Sequence, residues 1–144
     1  MFYFNKQTNK VKVNTKIRYG LRAMIEVAKN TEKGGILQKD IATNQNISLK
    51  YLDPILNGLK VANLIKKKSH KEGFILSRNP SEITIYDIHN AYEPGVMIID
   101  CLDIQNECNI ESTCDVKGFW CELNNMIANK FKSVTLEDLV KKNS

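Results

Sequence analysis

Apolar residues recur at three- and four-residue steps along much of this chain, which is the spacing of α-helices with one buried face. The first such stretch begins at Thr15, and Gly34-Gly35 ends it because glycine readily leaves the helical backbone conformation. Its apolar positions are Ile17, Leu21, Met24, Ile25 and Ala28. Residues 1–12 are polar and basic, and we expect them to form a flexible extension.

Two further helices are predicted next, joined by a tight turn. The first is Leu37–Asn44, and the turn is Asn44-Gln45-Asn46, since Asn tolerates the left-handed backbone that such turns often need. Ser48 is a good N-cap for the second helix, Leu49–Ala62. The apolar stripe of that helix consists of Leu52, Ile55, Leu56 and Leu59. This succession is typical of a helix-turn-helix.

A β-hairpin is predicted directly after the second of these helices. Leu64-Ile65 and Phe74-Ile75-Leu76 are short β-prone runs on either side of a polar turn that contains a glycine. A hairpin in this position is the wing of a winged helix. We expect the tip of the wing to carry four lysines, namely Lys66, Lys67, Lys68 and Lys71.

The pattern changes twice in the second half of the chain. Thr84, with Asp87 three residues on, fits the start of another helix, and Pro94-Gly95 is expected to end it. Residues 100–115 then show no period, and they carry cysteines and carboxylates.

Two more helices complete the prediction. The longer is Val116–Phe131, with an apolar stripe of Trp120, Leu123, Ile127 and Phe131. Thr135 opens the shorter one, Leu136–Val140. The sequence therefore predicts a mainly α fold with a small β-hairpin: a winged helix-turn-helix at 13–80, and a segment at 81–144 in the same structural domain that ends in long and short helices.

Length and composition restrict the class of protein. The chain has 144 residues, of which 42% are hydrophobic and 26% charged, values that are ordinary for one globular domain and exclude fibrous or wholly disordered classes. The net charge of +5 conceals an asymmetry. Residues 1–80 hold 16 basic and 5 acidic side chains, whereas residues 81–144 hold 5 basic and 11 acidic ones. The first half is therefore suited to meeting an anion.

Several functions are disfavoured by what the sequence lacks. We find no membrane-spanning apolar run and no signal peptide at the start, so we predict a cytoplasmic protein without a membrane partner. The glycine patterns of nucleotide-binding loops, the zinc-protease motif and the nucleophile elbow are also missing. Since His70 and His89 are the only histidines, we do not expect an enzyme.

The basic half fits double-stranded DNA. A recognition helix contacts bases through its first turns, where Ser48, Lys50 and Tyr51 lie, and the four wing lysines would contact the backbone or the minor groove. A lysine run alone is more often a solvated surface, but its position between a helix-turn-helix and a hairpin favours DNA. Pro54 conflicts with a regular recognition helix, and we expect a kink or an irregular first turn there.

The four cysteines have the spacing C-x6-C-x5-C-x6-C. No pair is close enough for the usual structural zinc site, and the surrounding carboxylates disfavour the low thiol pKa that a redox sensor needs. Widely spaced thiolates in a loop suit an iron–sulfur cluster. The chemistry alone thus favours a cluster over inert or structural thiols, then zinc, then a redox switch.

Residues spread in order from Val13 to Val140 carry a resemblance to one known family. They are Thr15 to Met24, Asp40-Ile41-Ala42, Ile47 to Leu52, Pro80 to Thr84, Asp87-Ile88, Asp100-Cys101, Cys108, Cys114, Trp120 and Thr135 to Leu139. With them the chain resembles the winged-helix transcription regulators of the Rrf type, the family that includes IscR, NsrR and CymR. The resemblance implies a homodimer joined through the long helix Val116–Phe131. It also implies that Cys101, Cys108 and Cys114 ligate an iron–sulfur cluster, 2Fe-2S in preference to 4Fe-4S.

The chain departs from the family where the fourth cluster ligand is expected. Lys117 stands where IscR-like members have a histidine, and Arg18 where NsrR-like members have an acidic residue. Cys121 is one candidate, although seven helical residues from Cys114 correspond to about 10.5 Å of rise. His89 is a weaker one, and Asp or Glu side chains of the loop stay open.

Other departures keep three functions open. The glycine-rich wing turn of the family is replaced by Ser69 to Phe74, so the operator sequence is expected to differ. CymR-like members of the family lack the cysteine triad. The main hypothesis is a dimeric regulator that senses cluster, redox or nitric-oxide status. The alternatives are a cluster-free or thiol-sensing regulator, and a metal or cluster carrier that does not bind DNA.

Overall fold

The computed structural model of the protein describes residues 13–97 and 115–142. The predicted extension 1–12 and the three cysteines Cys101, Cys108 and Cys114 lie outside these residues. The described α-helices are α1 (Thr15–Asn30), α2 (Gln38–Gln45), α3 (Leu49–Val61), α4 (Ile85–Asn90), α5 (Lys117–Ser133) and α6 (Leu136–Lys142). The strands are β1 (Ile65–Ser69) and β2 (Gly73–Leu76), and a 3-10 helix spans Pro80–Glu82. Among these residues no helix is long and apolar enough to cross a membrane.

Helix α1 begins at a polar cap and lies at the centre of the core. The Asn14 side chain accepts a hydrogen bond from the Lys16 backbone N–H at 2.8 Å, which satisfies one of the free donors of the first turn. Its fully buried apolar residues are Ile17, Ala23, Met24 and Val27. Of the predicted stripe, Ile17 and Met24 are therefore confirmed as buried. The other three residues, Leu21, Ile25 and Ala28, are only half-buried against the core.

The helix-turn-helix is formed by α2, its turn and α3. Asn46 ends α2 with φ 52°, the left-handed conformation predicted for this turn. All four predicted apolar residues of α3 are buried. Helix α3 is continuous across Pro54, so the expected kink does not interrupt it. Its first turn does include a tighter bond, from the Tyr51 N–H to the Ser48 carbonyl at 3.1 Å.

The wing is an antiparallel hairpin of β1 and β2, as predicted, but its lysines are placed differently. Lys66 pairs with Ile75 and Lys67 with Phe74, so these lysines lie along β1, as does Lys68, beside a bulge. Only Lys71 lies in the connecting turn. The prediction that four lysines occupy the tip was wrong for three of them, because strand pairing extends further toward the turn than the β-prone runs indicated.

A short third segment closes the hairpin against α2. Ile36 and Phe74 exchange backbone hydrogen bonds of 3.0 and 2.7 Å just before α2 begins. Gly73 has φ 83°, and a Cβ there would lie 2.1 Å from the Ile36 carbonyl oxygen. Only glycine fits this approach, so Gly73 fixes the wing to the body of the domain.

The last helix returns to the same core. Leu136 of α6 is fully buried beside Ile83, and its N–H donates to the Ile83 carbonyl at 2.7 Å. Ile88 of α4 is buried in the same cluster. Helix α4 ends at Asn90, four residues before Pro94. Turn residues follow where the sequence predicted that the helix would continue.

Helix α5 differs from the others. It spans 17 residues, and none of them is buried. Its C-terminal part contacts α4, where the Phe131 ring lies 5.6 Å from the His89 ring and the Lys132 ammonium lies 4.6 Å from the Tyr86 ring. The predicted stripe residues Trp120, Leu123, Ile127 and Phe131 are all half-buried.

Candidate nucleic-acid interface

The first turn of α3 presents the three side chains that the sequence assigned to DNA. Ser48, Lys50 and Tyr51 are all exposed, Tyr51 with 67% of its surface accessible. The Ser48 hydroxyl oxygen accepts from the Tyr51 N–H at 3.3 Å and caps the helix. Its proton remains available to a phosphate or a base acceptor, so the cap and a DNA contact are compatible.

The turn before α3 is held by polar side chains of α1 that sequence reasoning missed. Glu26 is 8% exposed, and its carboxylate accepts from the Asn44 amide at 3.1 Å and from the Gln45 amide at 2.6 Å. Arg22, one helical turn earlier, donates to the Gln45 side chain at 2.9 Å and also to the Gln45 carbonyl. These charge-assisted hydrogen bonds join α1 to the C-terminal end of α2, directly before the turn that leads into α3.

A sequence signal for this network does exist. Glu26 interrupts a stretch that is otherwise apolar on its inward side, and Arg22 precedes it by four residues on the same helix. A charged residue on a buried face needs a partner. The partner cannot be identified from the sequence alone, since it lies 18 or 19 residues further along the chain.

The outward face of α3 is defined by helical spacing. Lys50, Pro54, Asn57 and Val61 lie at intervals of four, three and four residues, and all are exposed. The buried residues Leu52, Ile55, Leu56 and Leu59 occupy the opposite side. Pro54 has no N–H to donate to the Lys50 carbonyl, which costs about 3 kcal/mol in a regular helix interior. The exposed face thus contains the residue least suited to the helix.

Tyr92, after α4, forms a wedge between α1 and α3. A Cβ on Gly20 of α1 would lie 2.6 Å from its ring, and a Cβ on Gly58 of α3 would lie 2.7 Å from it. The Tyr92 hydroxyl donates to the Ile55 carbonyl at 2.8 Å. Burial raises the pKa of this phenol, so the donor keeps its proton. Two glycines and one tyrosine therefore set the separation of the two helices.

The wing adds positive charge beside the helix-turn-helix. Lys66, Lys67, Lys68 and Lys71 are exposed. Lys68 forms an ion pair of 2.6 Å with Glu72 across the turn, with both side chains 47% exposed. Because such exposed pairs are weak, a phosphate can displace the carboxylate.

The predicted cluster site can be assessed only at Cys121 and His89. Cys121 lies one turn into α5 and is half-buried. Since α5 begins at Lys117, the straight-helix spacing assumed between Cys114 and Cys121 does not apply along its whole length. His89 is 7% exposed, and its Nδ1 is a buried nitrogen without a hydrogen-bond partner. Within the two described ranges, no three potential ligands converge on a metal site.

The surface of α5 carries large apolar side chains. Phe119 and Met126 are 59% and 62% exposed, and Val116, just before the helix, is 53% exposed. Phe119 packs edge-on against Trp120 with ring centroids 5.0 Å apart. Phe119 and Met126 are seven residues apart and therefore lie on one side of α5, and exposed apolar side chains grouped on one side of a helix are typical of a surface that another chain covers.

Comparison with a family model accounts for nearly the whole chain. The model described as Rrf2, iron-dependent transcriptional regulator, matches residues 13–142. The transcriptional regulator CymR of Bacillus subtilis is 32% identical over 130 residues, which cover 90% of this chain and 89% of that protein. The regulator IscR of Photorhabdus laumondii is 28% identical over 131 residues, which cover 90% of this chain and 79% of that protein.

Solved structures resemble the fold at the same level. The structure of B. subtilis CymR, described as the global cysteine regulator, has a TM-score of 0.75 and 31% identity, and it covers 90% of this chain and 96% of its own. The structure of IscR from T. potens has a TM-score of 0.75 and 30% identity, with coverage of 92% and 88%. The two types of regulator are therefore equally similar to this fold.

Proposed function

The chain belongs to the Rrf2 family of transcriptional regulators, and on that premise we propose that it binds operator DNA as a homodimer and responds to an iron–sulfur cluster. As a member of this family it is a DNA-binding regulator with a winged helix, and not an enzyme. The observation that carries the proposal is the exposed first turn of α3, with Lys50 and Tyr51, next to a wing whose four lysines are exposed.

The proposed DNA contacts divide by chemistry. Lys50, Ser48 and Tyr51 lie on the part of α3 that enters a major groove in helix-turn-helix proteins. We propose that phosphates on the flank are contacted by the four exposed wing lysines, Lys66, Lys67, Lys68 and Lys71. This division predicts that α3 sets sequence preference and that the wing sets the dependence of affinity on salt.

The proposed homodimer rests on α5. This helix has an apolar stripe without a buried residue, together with exposed Phe119 and Met126. A second copy of α5 would cover the apolar stripe and the exposed Phe119 and Met126 side chains together. Two copies would also place two α3 helices on one operator, which is how dimeric helix-turn-helix proteins read paired half-sites. The division into a DNA-binding region at 13–80 and a sensing and dimerisation region at 81–144 remains part of the proposal, as does a cytoplasmic location.

The proposed cofactor is an iron–sulfur cluster held by Cys101, Cys108 and Cys114, of the 2Fe-2S type in preference to 4Fe-4S. Three thiolates are a donor set that suits iron, and the family model is described as iron-dependent. The fourth ligand stays open: Cys121 is one candidate, beside His89 and the Asp and Glu side chains that lie near the triad in the sequence. A bound cluster would supply strong metal–thiolate bonds, which the thiolates of Cys101, Cys108 and Cys114 would form.

Purification under anaerobic conditions tests the cluster directly. We expect visible absorption and about stoichiometric iron and sulfide, which Cys101→Ala abolishes. Cys121→Ala tests the fourth position separately, because it changes a cysteine on α5 and leaves the triad intact. If Cys121→Ala alters the spectrum but keeps the iron, the fourth position is confirmed.

A cluster-free regulator is the second candidate, since the similarity to CymR is as strong as that to IscR. It predicts a colourless, iron-free protein whose operator affinity is unchanged by Cys101→Ala. The third candidate, a cluster carrier that does not bind DNA, predicts no salt-dependent affinity for duplex DNA.

A further inference from the structure

The outward face of α3 has an apolar group at its centre. Pro54 is exposed, lies one turn after Lys50 on the same face, and points away from the buried stripe of the helix. Since it makes no contribution to the core cluster of buried residues, packing does not explain its presence. Exposed helix positions are the easiest ones to fill with a good helix former.

The choice of proline weakens the helix that carries it. The Lys50 carbonyl loses its regular donor, and the ring crowds the preceding turn. Residues that break a local rule without a folding benefit occur mainly at functional surfaces. Here the broken rule falls on the face that the DNA-binding function uses, in the second turn of the recognition helix.

The chemistry of the ring restricts what it can contact. Proline offers neither a side-chain donor nor an acceptor, and it lacks the backbone N–H as well. In the major groove the one apolar feature of the base edges is the C5-methyl group of thymine. The exposed ammonium of Lys50, one turn away, is suited to guanine or phosphate. The two side chains together therefore favour a thymine next to the base or phosphate that Lys50 contacts.

We infer that Pro54 reads the methyl group of a thymine in each half of the operator, and that this contact outweighs the helix stability lost to the proline. The inference rests on the proposed DNA contacts of α3. It adds a specificity-determining residue to those contacts. The group that this residue would read, the methyl group of a thymine, can be removed from the DNA without changing base pairing.

The experiment begins with selection of a duplex from a random library by the wild-type protein. Each dT of the selected site is then replaced by dU, which removes the methyl group and keeps base pairing. We expect one replacement per half-site to weaken binding by about four-fold, the value of burying one methyl group. In Pro54→Ala the same replacement should have a smaller effect, because most of the apolar ring is gone.

Two further variants separate the ring from the backbone. Pro54→Val restores the N–H but keeps an apolar side chain, so it should retain the discrimination between dT and dU. Val61→Ala removes an exposed apolar side chain from the same face of α3, but near the end of the helix. This variant should also retain the discrimination between dT and dU. Pro54→Ala is expected to raise the Tm by at least about 5 °C, since the helix regains a hydrogen bond.

Several results would overturn the inference. It fails if no dT-to-dU replacement weakens binding by the wild-type protein, or if the effect is undiminished in Pro54→Ala. It also fails if Pro54→Ala lowers the Tm, because the proline then serves the fold. If no duplex is enriched at all, the DNA contacts proposed for α3 fail together with it, whereas an enriched duplex that is insensitive to methyl groups overturns the inference alone.

Discussion

Helices α3 and α5 have similar apolar stripes, yet their surroundings differ completely. Helix α3 spans 13 residues and buries four of them, while α5 spans 17 and buries none. Helix α3 is covered by α1 and the wing, whereas α5 contacts little besides α4 among the described residues. The comparison teaches that the core around α3 is complete within one chain, whereas the apolar stripe of α5 is not buried within it. We propose that a second α5 covers this stripe.

The largest expected effect concerns the buried face of α3. Leu56→Ala removes a side chain that is 2% exposed, and it should lower the free energy of unfolding by about 2–5 kcal/mol. Urea denaturation followed by circular dichroism measures the loss. Val61→Ala on the same helix is the control, since Val61 is 75% exposed and its truncation should change little. Equal effects of the two variants would contradict the assignment of the buried face.

The next effect concerns α5. Met126→Asp places a charge on the surface proposed to meet the second copy, and we expect the protein to become monomeric with an unchanged helical spectrum. Sedimentation equilibrium measures the mass, which should approach the 16.4 kDa of one chain. The same variant should weaken operator binding by more than about ten-fold, because one half-site is lost. Asn125→Asp, on an exposed polar position of the same helix, is the control. A Met126→Asp protein that stays dimeric would place the interface elsewhere.

A smaller effect is expected where Tyr92, after α4, packs between α1 and α3. Tyr92→Phe removes the hydroxyl that donates to the Ile55 carbonyl, and should cost about 1 kcal/mol of stability while the wedge of the ring remains. Gly58→Ala changes the same contact sterically and should cost more, since its Cβ has no room. Thermal unfolding of both variants measures the order. If Tyr92→Phe were the more damaging of the two, the hydroxyl and not the ring would set the helix separation.

The smallest effect is at the start of α6. The Thr135 backbone N–H and hydroxyl interact with Asp138 and hold the pKa of its carboxyl below the ordinary value. A depressed pKa in the folded state adds stability above the ordinary pKa of about 4, and that stability is lost as the pH falls through the folded value. The Tm difference between wild type and Asp138→Asn should therefore be small, be largest near neutral pH and vanish in acid. A difference that stays constant down to acid pH would contradict this.

Much of the fold could be predicted because its signals are local. Ser48 marks the start of α3, and the Thr84–Asp87 and Thr135–Asp138 pairs mark α4 and α6, where the side chains do cap the helices. Hydrophobic spacing identified the buried side of α3 correctly, since that face meets α1 within the same chain.

What the sequence left open depends on distant partners. The bonds from Arg22 and Glu26 to Gln45 join residues 23 and 19 positions apart, and no local pattern specifies them. The stripe of α5 could be predicted, but not whether its own chain covers it. The lysines of β1 were assigned to the tip because the pairing register depends on contacts with residues 73–76.

Binding to the selected operator at different salt concentrations, with the mass of the complex measured in the same samples, tests the central claim most directly. We predict two chains per duplex and a steep fall of log affinity with log salt. In the variant with Lys66, Lys67 and Lys68 changed to Ala, the slope should become shallower by at least about 2, since each lost phosphate contact removes about 0.9. One chain per duplex, or an affinity that does not depend on salt, would contradict the account.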